Sequence, residues 1–311
     1  MKIVFMGTPQ AAVSSLARLL ADGHTVTAVY TQPDRPSGRG KKIVYSPVKE
    51  FALKNHLPVF QPEKIRNPEV IKTVCSHQAD ISVVVAYGRI LPLAILNAFP
   101  LGAINLHFSL LPKYRGAAPV NWAIVNGDKV TGVTTMKMDE GLDTGDILLQ
   151  KTVEIGADET AVELTMRLAE TGACLLSETL AKINELTPSR QDEKSATFAP
   201  ILSKADGRIG WSMDAGEIAA RIRGFQPFPM AYGDFRGSRL TLWKAAKVES
   251  EAGFALSSAG NIASVEKKRL IVQCGNITFL RIDELQIEGK RRITAAEFIN
   301  GMRPNPGEKL G

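Results

Sequence analysis

Short, unbroken runs of β-branched and other apolar residues recur through the first half of the chain. Residues 3–6, 26–30, 58–60, 81–86 and 102–106 each read as a buried strand. A strand with one solvated face alternates apolar and polar side chains, whereas an unbroken run is covered on both faces. Helical patterns lie between these runs, the first entered at Gly7-Thr8-Pro9 with proline near its first turn. The expectation is an α/β domain with a mostly parallel, doubly wound sheet. Val162, Met166, Ala169, Ala173, Leu176, Leu180 and Ile183 recur at alternating steps of four and three, which predicts an amphipathic helix closing that domain.

Periodicity is then lost. Residues 188–207 are polar and aperiodic and read as a linker. Beyond them, 240–243, 260–265, 270–274 and 277–282 are short strands, the last two flanking Gly275-Asn276 as a two-residue hairpin turn. Several short strands at this spacing predict a small β-barrel or sandwich. The expected organisation is a domain over 1–187, a linker over 188–207 and a second domain over 208–311.

Composition narrows the class. At 311 residues, with 44% hydrophobic and 23% charged residues, the chain resembles an ordinary globular protein that needs no covalent staples. No apolar stretch, that at 83–86 included, is nearly long enough to cross a bilayer. Cys75, Cys174 and Cys274 are widely separated and form no C-x-x-C pair, so neither a disulfide framework nor a metal site is expected. The chain opens as a strand with no leader pattern, and a reduced cytoplasmic setting is expected. Net charge is +6, and residues 205–311 carry 16 Lys and Arg against 12 Asp and Glu. An anionic partner is compatible with this excess but not required by it.

Candidate chemistry lies in two segments. Gly7-Thr8-Pro9-Gln10-Ala11-Ala12 lacks the later glycines of a dinucleotide turn, and no phosphate-binding G-x-x-x-x-G-K-[ST] exists. Asn105 and His107 alternate at the end of a strand and share one face, where open α/β sheets bind ligands. Asp139, Glu140, Asp143 and Asp146 cluster around Gly141 and Gly145 without calcium-loop spacing, so a tight backbone can aim one carboxylate inward. An amide, an imidazole and a carboxylate suit acyl transfer to an amine: two donors for an oxyanion and a group to orient the histidine or take a proton. No G-x-S-x-G nucleophile is present, which favours direct transfer.

Asn105-x-His107-x-Ser109-Leu110-Leu111-Pro112, followed by Asp143, resembles the folate-dependent formyltransferase family. Val84-Val85-Ala86-Tyr87-Gly88, Arg115-Gly116-Ala117-Ala118-Pro119 and Phe225-Gln226-Pro227-Phe228-Pro229 extend the likeness over essentially the whole chain. The basic loop within 32–47, together with a second domain, resembles members that act on a charged initiator tRNA. The resemblance implies a Rossmann-like domain followed by a small OB-like β-barrel. It implies transfer of the formyl group of 10-formyltetrahydrofolate to the α-amino group of methionine on initiator tRNA. Asn105, His107 and Asp143 would be catalytic. Ser109, Leu110, Leu111, Pro112, Tyr87, Gly88, Ile90, Leu91, Asp139, Gly141 and Leu142 would surround the folate. Arg35, Arg39, Lys41, Lys42, Lys267, Lys268, Arg269, Lys290, Arg291 and Arg292 would meet tRNA phosphates. A bacterial-type cytoplasmic monomer is expected. Open alternatives are formyl transfer to a sugar-nucleotide amine or a glycinamide ribonucleotide, and hydrolysis as in formyltetrahydrofolate dehydrogenase.

Overall fold

Ile3, Val4, Phe5 and Met6 are each 0% exposed because β1 (Lys2–Gly7) lies mid-sheet with helices on both faces. The computed structural model describes residues 1–37, 42–251, 254–266 and 268–311. After α1 (Gln10–Ala21) the chain enters β2 (Thr25–Tyr30), the short hairpin of β3 (Arg35–Ser37) and β4 (Lys42–Val44), α2 (Pro47–Lys54) and β5 (Val59–Phe60). It returns through α3 (Pro68–Cys75) to β6 (Ile81–Val85), α4 (Leu93–Leu96) and β7 (Ala103–His107). Ser46 and Asn67 cap α2 and α3, each with proline at the first helical turn. The order β7-β6-β1-β2-β5 is parallel throughout, so the expected sheet is present.

Two further strands were not legible. β8 (Arg115–Gly116) and α5 (Pro119–Val125) precede β9 (Val130–Lys137) and β10 (Ile147–Glu154), which extend the sheet antiparallel beyond β7. Thr131, Thr134 and Thr135 are buried in β9, and they break the apolar run that would have marked it. Thr134 donates to the Ser109 carbonyl (2.6 Å), and Thr135 pairs with Thr179 (2.8 Å). The helix expected near 162–183 is α6 (Ala161–Ala181). Ala169, Ala173, Leu176 and Leu180 are buried, but Val162 and Met166 are exposed. The covered face is turned toward Leu164, Leu168, Gly172 and Thr179, and the small Gly172 and the polar Thr179 hide it from a hydrophobicity pattern.

Residues 188–207 are laid down in hydrogen-bonded structure. Ser189 bridges Ile147, β11 (Phe198–Ala199) pairs with β8, and Gln191 is only 4% exposed. Polar residues can be buried this way when each donor finds an acceptor. Contacts divide the chain into a unit of 1–119, 130–154 and 165–200 and a second of 120–129, 155–164 and 201–311.

The second unit holds α7 (Ala215–Gly224), β12 (Ala231–Phe235), β13 (Ser238–Val248), β14 (Ile262–Glu266), β15 (Arg269–Gln273), β16 (Phe279–Ile287), β17 (Ile293–Thr294) and α8 (Ala295–Met302). Its six strands are all antiparallel, in the order β12-β13-β16-β15-β14 with β17 against β16. Leu240, Leu242, Leu270, Val272, Leu280 and Ile282 pack with Ile218 and Ile222 of α7 and Phe298 of α8. The turn at Gly275–Ile277 is a 3₁₀ turn, one residue longer than the expected pair, with Asn276 and Ile277 both at positive φ.

The end of α7 offers a test of this packing. Asn121 donates to the Gly224 carbonyl (2.7 Å), and a Cβ on Gly224 would stand 2.6 Å from Val125 Cγ2. Gly224→Ala should therefore cost about 1–3 kcal/mol in urea unfolding. Gly301→Ala, in α8 with nothing within 4 Å, should be neutral or stabilising by about 0.4–1 kcal/mol. Equal effects at the two sites would contradict the packing.

Candidate active site on β7

Asn105 and His107 leave β7 on one face, at 9% and 6% exposure. The Asn105 carboxamide makes no side-chain hydrogen bond among the described residues, which is unusual for a buried amide and leaves its N–H donors unused. His107 Nε2 lies 2.9 Å from the Tyr114 carbonyl. A carbonyl only accepts, so Nε2 carries the proton and donates. Nδ1 then faces Asp143 Oδ2 at 3.6 Å.

The register of β9 against β7 determines how Asp143 arrives. Lys137 lies opposite Ile104, so the loop after β9 departs beside the start of β7, where Met138 donates to the Ala103 carbonyl (2.8 Å). The loop doubles back over the strand. Asp139 Oδ1 accepts from Gly141 N–H (3.0 Å) and Thr144 Oγ1 (2.7 Å), and a Cβ on Gly145 would collide with the Lys137 carbonyl. Asp143, at φ +55°, ends with Oδ2 accepting the Gly116 N–H at 2.8 Å.

Behind these groups lies a network that sequence reasoning missed. Gln191 Nε2 donates to the carbonyls of Asp143 (2.8 Å) and Gly145 (2.7 Å). Its Oε1 accepts from Arg115 Nε (3.0 Å) and NH2 (2.8 Å). Arg115, 2% exposed, forms a two-point pair with Glu193 at 2.9 Å, which raises the guanidinium pKa above its ordinary value. Thr197 Oγ1 accepts the N–H of Tyr114 (2.9 Å), itself at φ +61°. The only sequence signal was polarity in a stretch without periodicity, and that reads equally as solvent exposure.

The expected folate residues fall into three groups. Ile90, Leu91, Asp139, Gly141 and Leu142 line one pocket of roughly 110 Å³ with Met136, Met138 and Asp143. Ile90 and Leu142 are 64% and 56% exposed there, an apolar wall without a cover. Tyr87 and Gly88 instead line a larger cavity of roughly 690 Å³ with Thr8, Gln32, Arg35 and Tyr45, and burial pushes the Tyr87 hydroxyl up to about 12. Arg89 borders both cavities. Ser109, Leu110, Leu111 and Pro112 line neither. Ser109 is fully buried and donates to the Lys113 carbonyl (2.6 Å), and the Leu111 carbonyl accepts from Gln150 (2.8 Å). These four residues shape the turn that carries Tyr114.

The expected phosphate contacts are dispersed. Arg35 is exposed on β3 and Lys42 opens β4, while Arg39, Lys41 and Lys267 lie outside the described residues. Arg269 pairs with Glu251 (2.6 Å), Arg291 with Glu297 (2.7 Å) and Arg292 with Glu284. Lys268 and Lys290 are exposed with no ion pair among the described residues. No group of three or more His, Cys, Asp or Glu among the described residues is placed to hold a metal ion, and no described helix is long and apolar enough to cross a membrane.

Comparison with known proteins agrees with this layout. The formyl transferase family model matches residues 1–180, and the formyl transferase C-terminal domain model matches 201–303. A methionyl-tRNA formyltransferase of Acetivibrio thermocellus is 46% identical over the whole of both chains. One from Koribacter versatilis is 49% identical over all of this chain and 99% of the relative. Among solved structures, the sugar 3N-formyl transferase WlaRD, in the presence of dTDP and 5-N-formyl-THF, has a TM-score of 0.67 at 21% identity, covering 94% of this chain and 99% of that one. That likeness bears on the fold alone. With one family model over the sheet that carries Asn105, His107 and Asp143 and another over the antiparallel unit, the chain belongs to the formyl transferase family.

Proposed function

We propose that the chain transfers the formyl group of 10-formyltetrahydrofolate to the α-amino group of methionyl initiator tRNA, giving formylmethionyl-tRNA for translation initiation in a bacterial-type cytoplasm. The observation that carries this reading is the convergence of Asn105, His107 and Asp143 in a chain that matches methionyl-tRNA formyltransferases end to end. Two sugar N-formyltransferases of known structure are 20% and 21% identical to it.

The uncovered wall of Ile90 and Leu142, beside the polar backbone of 139–143, fits a flat heterocycle with hydrogen-bonding edges. The bound folate would supply the activated formyl carbon. The chain's own residues then manage charge and protons. The unused Asn105 N–H groups are donors for the formyl oxygen as it gains negative charge. His107 has committed its Nε2 proton to Tyr114, so its Nδ1 lone pair faces the Asp143 carboxylate. The two acceptors lie 3.6 Å apart, with room for a proton between them. The pair is thereby poised to receive the proton the attacking amine must lose, and Nδ1–H then becomes a second donor. The Gly116 N–H holds the carboxylate in register.

Asp143→Asn keeps shape but removes the charge that attracts the proton, so kcat should fall about a hundredfold to ten-thousandfold with folding intact. Turnover within about twofold of the parent would remove Asp143 from this role. Asn105→Ala should cost on the order of 3 kcal/mol in transition-state stabilisation, seen as lower kcat with folate affinity little changed. The assay follows label from 10-formyltetrahydrofolate into charged initiator tRNA. No transfer by the unsubstituted chain would refute the reading.

Lys268 and Lys290 are supported as tRNA contacts because they stand free of the acidic partners that occupy Arg269, Arg291 and Arg292. Affinity for tRNA should fall steeply with salt, and Lys290→Ala should lower the log–log slope by about one. Folate affinity should barely move. A salt slope unchanged in Lys290→Ala would place that side chain away from phosphate.

A further inference from the structure

We infer that Gln191, in the polar stretch after α6, is a positioning residue that sets the reach of the Asp143 carboxylate toward His107; the inference rests on the formyl-transfer reading above. The geometry is specific. Asp143 adopts a left-handed backbone, which is unfavourable for a non-glycine residue and persists only where its surroundings enforce it. Both amide hydrogens of Gln191 are spent on that bend, one on the Asp143 carbonyl and one on the Gly145 carbonyl two residues on. The opposite end of the amide is fixed by two donors from Arg115. The amide therefore cannot flip: its oxygen must face the guanidinium and its nitrogen the two carbonyls.

Arg115 is held in turn by Glu193, which is 64% exposed, so the line of bonds runs from the surface to the backbone carbonyl of Asp143. Four residues further along, the same stretch grips the histidine side. Thr197 Oγ1 accepts from Tyr114 N–H, its carbonyl accepts from Arg115 N–H (2.8 Å), and Tyr114 is the residue whose carbonyl accepts the hydrogen bond from His107 Nε2. Gln191 and Thr197 thus brace the two left-handed residues that flank the His107–Asp143 pair. Without Gln191 the loop over 138–146 keeps its own internal turn at Asp139, Gly141 and Thr144 and the Gly116 N–H on the carboxylate, but loses both hydrogen bonds that fix its backbone at Asp143 and Gly145. A displacement of about 1 Å in a reacting group can cost on the order of a hundredfold in rate.

Gln191→Glu is the sharpest probe. It keeps an acceptor for Arg115 but replaces the two donors with an oxygen that repels the Asp143 and Gly145 carbonyls. Gln191→Met fills the same space with neither donor nor acceptor and guards against an effect of the added charge. For both, kcat with 10-formyltetrahydrofolate and charged initiator tRNA should fall about tenfold to a hundredfold, with KM for either substrate within about twofold. Thermal unfolding identifies a variant that has simply lost its fold. A double-mutant cycle with Asp143→Asn supplies the readout that a merely structural role would not move. Once the carboxylate is gone, Gln191→Glu should cost little more, so the losses should be clearly less than additive. Additive losses, or parent-like kcat in a folded Gln191→Glu variant beside an active parent, overturn the inference alone. An unsubstituted chain that transfers no formyl group overturns the reaction and this inference together.

Discussion

The site depends on a single commitment of the imidazole: His107 Nε2 donates to the Tyr114 carbonyl, so the other nitrogen must meet Asp143. An imidazole free on both sides could change tautomer and could not define a direction for proton movement. Here one nitrogen is fixed by an acceptor that cannot itself become a donor. Everything that positions Tyr114 therefore bears on the chemistry, including the buried Ser109 hydroxyl and the Thr134–Gln150 contacts that shape the preceding turn.

The second dependency is backbone strain held at both ends of the pair. Tyr114 and Asp143 both adopt positive φ without being glycine. Neither conformation would survive in an isolated loop, and each is tied to the stretch after α6 through a side chain, Thr197 or Gln191. The glycines nearby have a different task. Gly116, at φ +122°, has no room for a side chain beside the Ala199 carbonyl, which lets β8 and β11 approach closely enough to present its N–H to Asp143.

Legibility in the sequence followed the physics of burial. The five parallel strands were readable because strands covered on both faces need uninterrupted apolar residues, and Asn105 and His107 stood out because two polar side chains on one face of such a strand are out of place. Strand β9 was hidden by its threonines, of which Thr134 and Thr135 are buried with their hydroxyls bonded to the Ser109 carbonyl and to Thr179 of α6. The covered face of α6 was hidden in the same way by Gly172 and Thr179. Residues 188–207 looked like a linker because a polar, aperiodic stretch has the same composition whether it is solvated or buried in hydrogen bonds. What separates the two for Gln191 is its four hydrogen bonds, made at 4% exposure. Ser109 to Pro112 illustrate the converse: a motif marked the right turn, yet its side chains build that turn rather than a cavity wall.

The antiparallel register of β9 on β7 explains why the site runs along a strand face instead of sitting only at the sheet's end. The loop that carries Asp143 starts beside Ala103 and finishes against His107, so it travels the length of β7 and encloses Met136 and Met138 beneath it. The larger cavity lies elsewhere, beyond the ends of β1, β2 and β6, where the order of the strands reverses. Arg89 borders both. On the proposed reaction, this arrangement lets the two substrates occupy separate cavities, the flat donor under the 138–146 loop and the amine-bearing end from the side of the basic hairpin. A bimolecular transfer needs its partners to meet in one orientation, and two cavities that share Arg89 as a border, the smaller one lined by Asp143, hold donor and amine side by side without a covalent intermediate on the chain.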